Sequence, residues 1–487
     1  MRTVPTIALA AVLALAVGAC GGCGGSDATS DASGATTGSA TSTTATTADT
    51  ASGTDLHRCQ TLPVIDGFRC GSIEVPKYRD APDMGSFEIS YAVRPRNDRH
   101  TPSKGPIFAV EGGPGYSSTG TANAYTKLFG GLLDDHELVL VDMRGTGLSE
   151  PIDCPDLQRG TAPEWIALGE CARRLGDDFE AYNTGAAADD IDAVRRKLGY
   201  DEIDLYGDSY GTFLAQSYAF RHPDTLTSVV LDSAYPVRGE NPWYPSLIKS
   251  GNRDFAIACN RSPDCPPGAA DRLDEQAAYM RKHGMNPGVL VDAIAEAAYG
   301  PPNSYLRVER AGRALIDGDQ GPWIRLTNDL KTSFGDVLQY DRADELVVGC
   351  NDYPMIWDKD ASEAERRDQL EAAIRAYDKD AFAPFTPREV AIGSENGYNE
   401  CLTWPRPTDL REPPVPAGAQ PTEAPVLVVN GELDDLTTPH EGSLVAAEFP
   451  NAQRFVGRNA GHVDALYDDE GPSARTIRRF LRTTDDG

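Results

Sequence analysis

Short apolar runs alternate with longer amphipathic ones along most of this chain. Ile107–Val110 runs into Glu111-Gly112-Gly113-Pro114-Gly115, Leu138–Val141 into Asp142-Met143-Arg144-Gly145, and Ile203–Tyr206 into Gly207. Val229–Leu231 runs into Asp232-Ser233, and Val426–Val429 into Asn430-Gly431. Each is a buried-strand signal that ends in turn residues. Between them, Ala187–Leu198 places apolar side chains at 188, 191, 194 and 198, close to a 3.6 period, with Gly199 as its C-cap. Thr212–Arg221 reads as a second helix, stopped by Pro223. Strand–helix alternation predicts a mostly parallel sheet covered by helices on both faces. Ile73–Val75 and Phe87–Val93 fit antiparallel leading strands upstream. The alternation lapses over about 237–424, which is helical, charged and punctuated by proline; 405–421 reads as a connector back to the sheet.

The N-terminus has another character. An uncharged apolar stretch, Ile7–Val17, follows Arg2 and is too short to span a bilayer comfortably, so it reads as a signal-peptide core. It ends in Val17-Gly18-Ala19-Cys20, which resembles the box at which bacterial lipoproteins are cleaved and lipidated on cysteine. An ordinary cleaved signal that loses Cys20 is the plainer alternative. From Gly21 to about Thr54 the chain is nearly all Gly, Ser, Thr, Ala and Asp, unable to bury enough surface to offset its ordering entropy. The expected organisation is a lipoprotein signal over 1–20, a flexible linker over 21–55, a first core part over 56–236, a helical cap over 237–424 and a C-terminal core part over 425–487.

Charge and cysteine usage narrow the function. With 45 basic and 74 acidic side chains the net charge is −29, a field that repels phosphates and argues against nucleic acid and anionic lipid as partners. Membrane attachment is therefore expected through the lipid on Cys20 alone, on the outer side of a membrane. Such a compartment permits disulfides. Past the linker the cysteines are 59, 70, 154, 171, 259, 265, 350 and 401. Sequence neighbours suggest the pairs 59–70, 154–171, 259–265 and 350–401, although eight cysteines allow 105 pairings. The globular part has no C-x-x-C and no H-E-x-x-H, so neither metal nor cofactor is expected.

Gly207-Asp208-Ser209-Tyr210-Gly211 matches G-x-S-x-G. In a chain with 47 glycines the pattern alone is weak; its place between a strand and a helix makes it a nucleophile elbow, with Ser209 the nucleophile. Acyl transfer from serine also needs a base, an orienting acid and an oxyanion hole. Only His440 and His462 lie after the last strong strand. His462 follows the short strand signal Arg454–Val456 in a glycine-led loop, where the base belongs; His440 starts a helix-like run. The acid should end the strand Val426–Val429, which leaves Asp434 or Asp435, and the spacing from Gly431 favours Asp434. Gly113 and Tyr210 are the candidate oxyanion donors through their backbone N–H groups, since Pro114 has none.

Together, Gly112-Gly113-Pro114-Gly115, the run Asp142–Ser149, Gly207–Gly211, Gly431-Glu432-Leu433-Asp434 and Gly461-His462 resemble the α/β-hydrolase peptidases of the proline iminopeptidase and tripeptidyl aminopeptidase family. Cys70 with Val75-Pro76, and Cys401-Leu402-Thr403-Trp404, extend the likeness across the globular part. The resemblance implies an α/β-hydrolase fold with a large, mainly helical cap inserted before the last strands. It also implies a serine exopeptidase acting on short peptides or protein N-termini. Two departures stand out: Glu111 precedes the glycine turn where relatives have His or Asn-Pro, and Thr438-Pro439 counts back to Asp435 rather than Asp434. An aminopeptidase must bind a free α-ammonium; Asp352 and Glu400, each beside a cysteine, are the candidate anchors. Asp142 and Arg144 are expected to hold the loop beneath the site. An esterase or lipase with the same triad, and a non-catalytic peptide-binding lipoprotein, are the alternatives. Oligomeric state is not legible.

Overall fold

In the continuous apolar runs, neighbouring side chains point to opposite faces of one sheet, so each run serves two cores at once. The structure is a computed structural model and describes residues 56–59, 67–238, 245–268, 271–330, 335–393 and 399–484. The signal segment, Cys20 and the linker expected over 1–55 lie outside the described residues. The sheet has nine strands: β1 (His57–Arg58), β2 (Arg69–Pro76), β3 (Ser86–Arg94), β4 (Pro106–Val110), β5 (Glu137–Val141), β6 (Ile203–Asp208), β7 (Leu226–Asp232), β8 (Val426–Gly431) and β9 (Ala452–Gly457). Their order is β1-β2-β3-β5-β4-β6-β7-β8-β9. The leading strands β1, β2 and β3 pair antiparallel, and β3 joins β5 antiparallel. From β5 to β9 every pairing is parallel.

The two cores follow the period of two. Phe108, Val139, Leu205, Val229 and Val428 share one cluster, while Ile107, Leu140, Tyr206, Val230 and Leu427 share the one on the opposite face. Helices α2 (Thr184–Leu198) and α3 (Tyr210–Arg221) contribute Ile191, Val194 and Phe213 to the first. Helix α1 (Ala122–Phe129) and the C-terminal helix Pro472–Thr484 contribute Tyr125, Phe129 and Ile477 to the second. Asn183 caps α2 by accepting from the Ala186 N–H at 2.8 Å, and Gly199 ends it in the left-handed region at φ 79°.

Between β7 and β8 the described residues hold eight α-helices, from Pro245–Arg261 to Pro387–Gly393. This insertion is not uniform. Its first part builds a separate core around Phe255, Leu273, Ile294, Tyr305 and Leu315, closed by Phe382 and Phe385. Its later part, helix α5 (Arg342–Asp352) and the segment around Trp357 and Cys401–Trp404, is absorbed into the main core. Helix α4 (Val289–Ala298) belongs to the separate core, and α6 (Glu363–Ala376) follows α5 along the chain. Polar pairs explain the second attachment: Asn351 donates to the carbonyls of Phe179 and Tyr182, each at 2.8 Å, and Trp404 donates to Asn351 Oδ1 at 2.8 Å. The disulfides are Cys59–Cys70, Cys154–Cys171, Cys259–Cys265 and Cys350–Cys401, the four pairs of sequence neighbours. Among the described residues no helix is long and apolar enough to cross a membrane.

Arg144 and Asp142 hold the loop after β5. Both Arg144 and its partner Asp190 are 1% exposed; Nε donates to Oδ2 and Nη2 to Oδ1, each at 2.8 Å, while Nη1 reaches the Ala181 carbonyl at 2.7 Å. This fork-to-fork geometry offsets the desolvation of both charges. Asp190→Asn leaves the guanidinium buried without its counter-charge. It should cost about 3–5 kcal/mol of stability, read as a lowered urea midpoint with unchanged slope.

Candidate active site

Ser209 lies between β6 and α3 with φ 50°, a conformation that costs a non-glycine residue about 1–3 kcal/mol. The surroundings enforce it. A Cβ on Gly207 would stand 2.1 Å from the Gly211 carbonyl oxygen, and one on Gly211 would stand 2.3 Å from that of Val110. The Ser209 N–H donates to the Asp232 carbonyl at 2.9 Å, locking the turn to β7. The serine side chain is thus presented at the N-terminal end of α3, above the carboxyl ends of the parallel strands.

The structure brings Ser209, His462 and Asp434 into one hydrogen-bonded chain. Ser209 Oγ is 2.9 Å from His462 Nε2, and His462 Nδ1 is 3.1 Å from both carboxylate oxygens of Asp434. Asp434 is fully buried and His462 is 2% exposed. With Nδ1 donating to the carboxylate, the Nε2 lone pair is left to accept from the serine hydroxyl. Asp434 is itself fixed by the N–H groups of Leu436 and Thr437, at 3.1 and 2.9 Å, and by the Thr437 hydroxyl at 2.7 Å. The His462 N–H donates to the Ala298 carbonyl at 2.7 Å, so the end of α4 seats the imidazole loop. Gly461 is required there, since a Cβ would stand 2.1 Å from that same oxygen.

Asp435 turns the other way. It is buried against the helix Pro245–Arg261, where its Oδ2 is 2.6 Å from where a Cβ on Gly251 would stand. Burial, and then the charges of Asp254 and Asp434, raise its pKa well above the carboxylate range. Asp254 is pushed up to about 7, chiefly by burial. His440 is exposed at the start of Pro439–Glu448 and is not part of the chain of hydrogen bonds.

The glycine turn lies directly against the serine. A Cβ on Gly112 would stand 2.7 Å from Ser209 Cβ, so the turn approaches as closely as glycine allows. Gly113 has φ 104° and is followed by a cis bond to Pro114. Asp142, fully buried, anchors this turn: Oδ1 accepts from the Thr119 N–H at 2.9 Å and the Ser117 hydroxyl at 3.0 Å. Oδ2 accepts from the Thr119 hydroxyl at 2.7 Å and the Leu148 N–H at 2.9 Å. The insertion joins from the other side, with Asp341 N–H donating to Gly115 O at 2.9 Å and Ser117 N–H to Gln339 O at 3.1 Å.

The carboxylates expected to anchor an amine are placed differently. Asp352 is buried, and its Oδ2 accepts from the Thr184 N–H at 2.5 Å and the Thr184 hydroxyl at 2.6 Å. The Thr184 hydroxyl also meets the Tyr210 hydroxyl at 2.8 Å, so Asp352 supports the residue after the nucleophile. Glu400 lies on the short turn Asn399–Thr403, which packs against helix Glu164–Leu175 and α6. Other acidic side chains act on Tyr116, beside the glycine turn; of these, Glu296 and Glu345 lie in segments that carry no motif. Tyr116 touches the glycine turn, and Glu345, Glu111 and Glu296 add to desolvation in raising its pKa. Tyr299, just past α4, packs edge-on against the His462 ring at 5.0 Å, with Glu296 one turn earlier on the same exposed side.

Glu111, the departure from the family pattern, has a partner beneath the nucleophile. The Tyr125 hydroxyl is 2.8 Å from Glu111 Oε2 and 2.7 Å from Asp208 Oδ1. One phenol proton serves only one of these oxygens, so the other contact is satisfied when a carboxyl carries a proton and donates to the phenol oxygen. Burial, then the charge of Glu111, raises the Asp208 pKa well above its usual range. Asp232, Tyr206 and Tyr467 are the further titratable neighbours of this pair.

Two family models match the chain: one for the alpha/beta hydrolase fold over residues 105–264, and one for TAP-like proteins over 389–485. The serine protease Hip1 of Mycobacterium tuberculosis is 24% identical over 421 residues, covering 76% of this chain and 77% of that protein. The tripeptidyl aminopeptidase of Streptomyces lividans is 26% identical over 438 residues, covering 81% and 77%. Among solved structures, a proline iminopeptidase from Mycobacterium smegmatis superposes with a TM-score of 0.39 at 18% identity, covering 85% of this chain and 99% of that one.

The shared proton makes a prediction. A native state that keeps a proton which the unfolded chain releases near pH 4 loses stability as pH rises from there towards the raised pKa. Glu111→Gln supplies a permanent N–H donor to the Tyr125 oxygen. Denaturation at pH 5 and pH 8 should show a smaller loss on going to pH 8 in this variant than in the native protein.

Proposed function

We propose that this chain, an α/β-hydrolase and a serine hydrolase similar to the proline iminopeptidase and tripeptidyl aminopeptidase family, is an extracytoplasmic exopeptidase held at a membrane by a lipid on Cys20. It removes amino acids or short peptides from free N-termini. The observation that carries this reading is the chain Ser209–His462–Asp434 at a strained elbow beside a glycine turn.

Ser209 Oγ attacks the scissile carbonyl as its proton passes to His462 Nε2. Asp434 holds the imidazole in the accepting tautomer and stabilises the imidazolium that forms. The N–H groups of Gly113 and Tyr210 bind the oxyanion. The tetrahedral intermediate collapses, the C–N bond breaks, and His462 returns the proton to the leaving amine. Water, deprotonated by His462, then attacks the acyl-enzyme, and the new carboxylate leaves as Ser209 regains its proton.

The insertion meets the site at Ala298, Tyr299 and Asp341, and a cover there suits short substrates or chain ends. The acids that act on Tyr116 suit a free α-ammonium, and Glu296 is the candidate to anchor one: it is exposed, one turn from the tyrosine that packs on His462.

Ser209→Ala should lower turnover of a tripeptidyl amide by about a million-fold while leaving the melting temperature within a few degrees. Chromogenic mono-, di- and tripeptidyl amides with free N-termini should be cleaved, and their acetylated forms should not. Cleavage of simple esters alone would replace the peptidase reading with an esterase. Glu296→Gln should raise KM for free-amine substrates with little change in kcat; an unchanged KM would remove Glu296 from the amine site.

A further inference from the structure

Glu111 is where this chain departs from the pattern it otherwise resembles, and the reaction outlined above gives it no part. Strand β4 ends at Val110, so Glu111 leads directly into Gly112 and Gly113. Strand β6 ends at Asp208, which leads directly into Ser209. The two carboxyls therefore each sit one residue before a segment of the site, and those two segments face each other.

The carboxyls meet on one phenol. The Tyr125 hydroxyl, on α1, is 2.8 Å from Glu111 Oε2 and 2.7 Å from Asp208 Oδ1, and both Tyr125 and Asp208 are buried. One residue further on the same segments touch again, where a Cβ on Gly112 would stand 2.7 Å from Ser209 Cβ. The Glu111 N–H donates to the Ser118 hydroxyl at 3.1 Å, closing the base of the glycine turn. A shift of Glu111 is thus passed to the turn. Asp208 is short and fixed at a strand end, so any parting of the pair falls on Glu111.

The surroundings favour a retained proton. Burial, then the charge of Glu111, raises the Asp208 pKa. The titratable groups that face the pair from neighbouring elements are acids: Tyr206 on β6, Asp232 on β7, Tyr116 in the glycine turn and Tyr467 after β9. His462 acts on Asp232, and only while it is protonated. A second negative charge on the pair meets like charge across one phenol.

We propose that Glu111 is a positioning residue for the oxyanion hole: held to Asp208 through Tyr125, it clasps the glycine turn to the nucleophile elbow and keeps the Gly113 N–H where the oxyanion forms. This role rests on Ser209 as nucleophile and Gly113 as oxyanion donor, as read above. Glu111 acts through Gly112 and Gly113 and touches no reacting atom. The clasp is closed while the pair holds its proton and opens as pH rises through the raised pKa. One contact to the phenol then sets lone pair against lone pair, and Glu111 turns away. An oxyanion donor acts in the transition state, so opening slows the chemical step and leaves binding unchanged.

Labelling of Ser209 by a fluorophosphonate tests this, because the probe uses the same serine and oxyanion donors and needs no peptide. In the native protein the maximal labelling rate should rise as His462 loses its proton and fall again in the alkaline range. Glu111→Gln, whose amide N–H donates to the phenol oxygen at every pH, should keep the rise and lose the alkaline fall. Glu111→Met, which cannot join the phenol, should lower the maximal rate at least tenfold at pH 7, with the half-saturating probe concentration unchanged; Glu111→Gln should not. Identical alkaline limbs in the native and Glu111→Gln proteins would overturn the proposal. So would native-rate labelling of Glu111→Met with a native circular dichroism spectrum. If Glu111→Met does not fold, the Glu111→Gln comparison decides alone. A native protein left unlabelled at Ser209 at every pH would overturn the triad reading and this role with it, a result distinct from either of the others.

Discussion

The site depends on one strained residue. Ser209 is held at φ 50° because backbone oxygens stand where side chains on Gly207 and Gly211 would go, and because its own N–H is fixed to the carbonyl of Asp232. The strain is sustained by the parallel sheet, whose strands β4, β6 and β7 cannot separate without breaking both cores. That single conformation points Oγ at His462, and Gly112 lies directly against the serine Cβ. Asp434 and His462 are then carried by loops after β8 and β9, the next two strands of the same sheet.

A strongly acidic chain must bury carboxylates, and this one does so by several routes. Asp190 is paired with a guanidinium, and Asp142 and Asp434 accept several hydrogen bonds each. Glu111 with Asp208 is a third route, in which a shared phenol calls for a retained proton. The same logic separates Asp434 from Asp435. The first accepts hydrogen bonds from N–H and O–H donors; the second faces Asp254 in a protein interior that disfavours its charged form.

The insertion is a cover with two attachments. Its first part has its own core and reaches the site through the end of α4, at Ala298 and Tyr299. Its later part is attached to the main core by Asn351, which donates to the Phe179 and Tyr182 carbonyls, and by Trp404 packed on Phe179. Tyr340 and Asp341, at the junction, pair with the glycine turn. The glycine turn is therefore braced by Asp142 on one side and by the insertion on the other.

The sequence by itself determined the alternating layers and the elbow, and it singled out Ser209 and His462, which the structure brings within hydrogen-bond distance. Those features are local: a run of apolar residues, a glycine spacing, a loop after a strand. It narrowed the acid to two neighbours, since adjacent carboxylates differ only in direction, and direction is set by what packs on each side. It pointed to Asp352 and Glu400 as amine anchors because each sits beside a cysteine, whereas Glu296 lies in an ordinary helix that carries no such mark. Only the tertiary structure decided that Asp434 meets His462 while Asp435 turns away, and that Glu111 meets Asp208 across Tyr125. These are meetings of residues tens to hundreds of positions apart. Such contacts are fixed by packing around two cores, which no local spacing along the chain encodes.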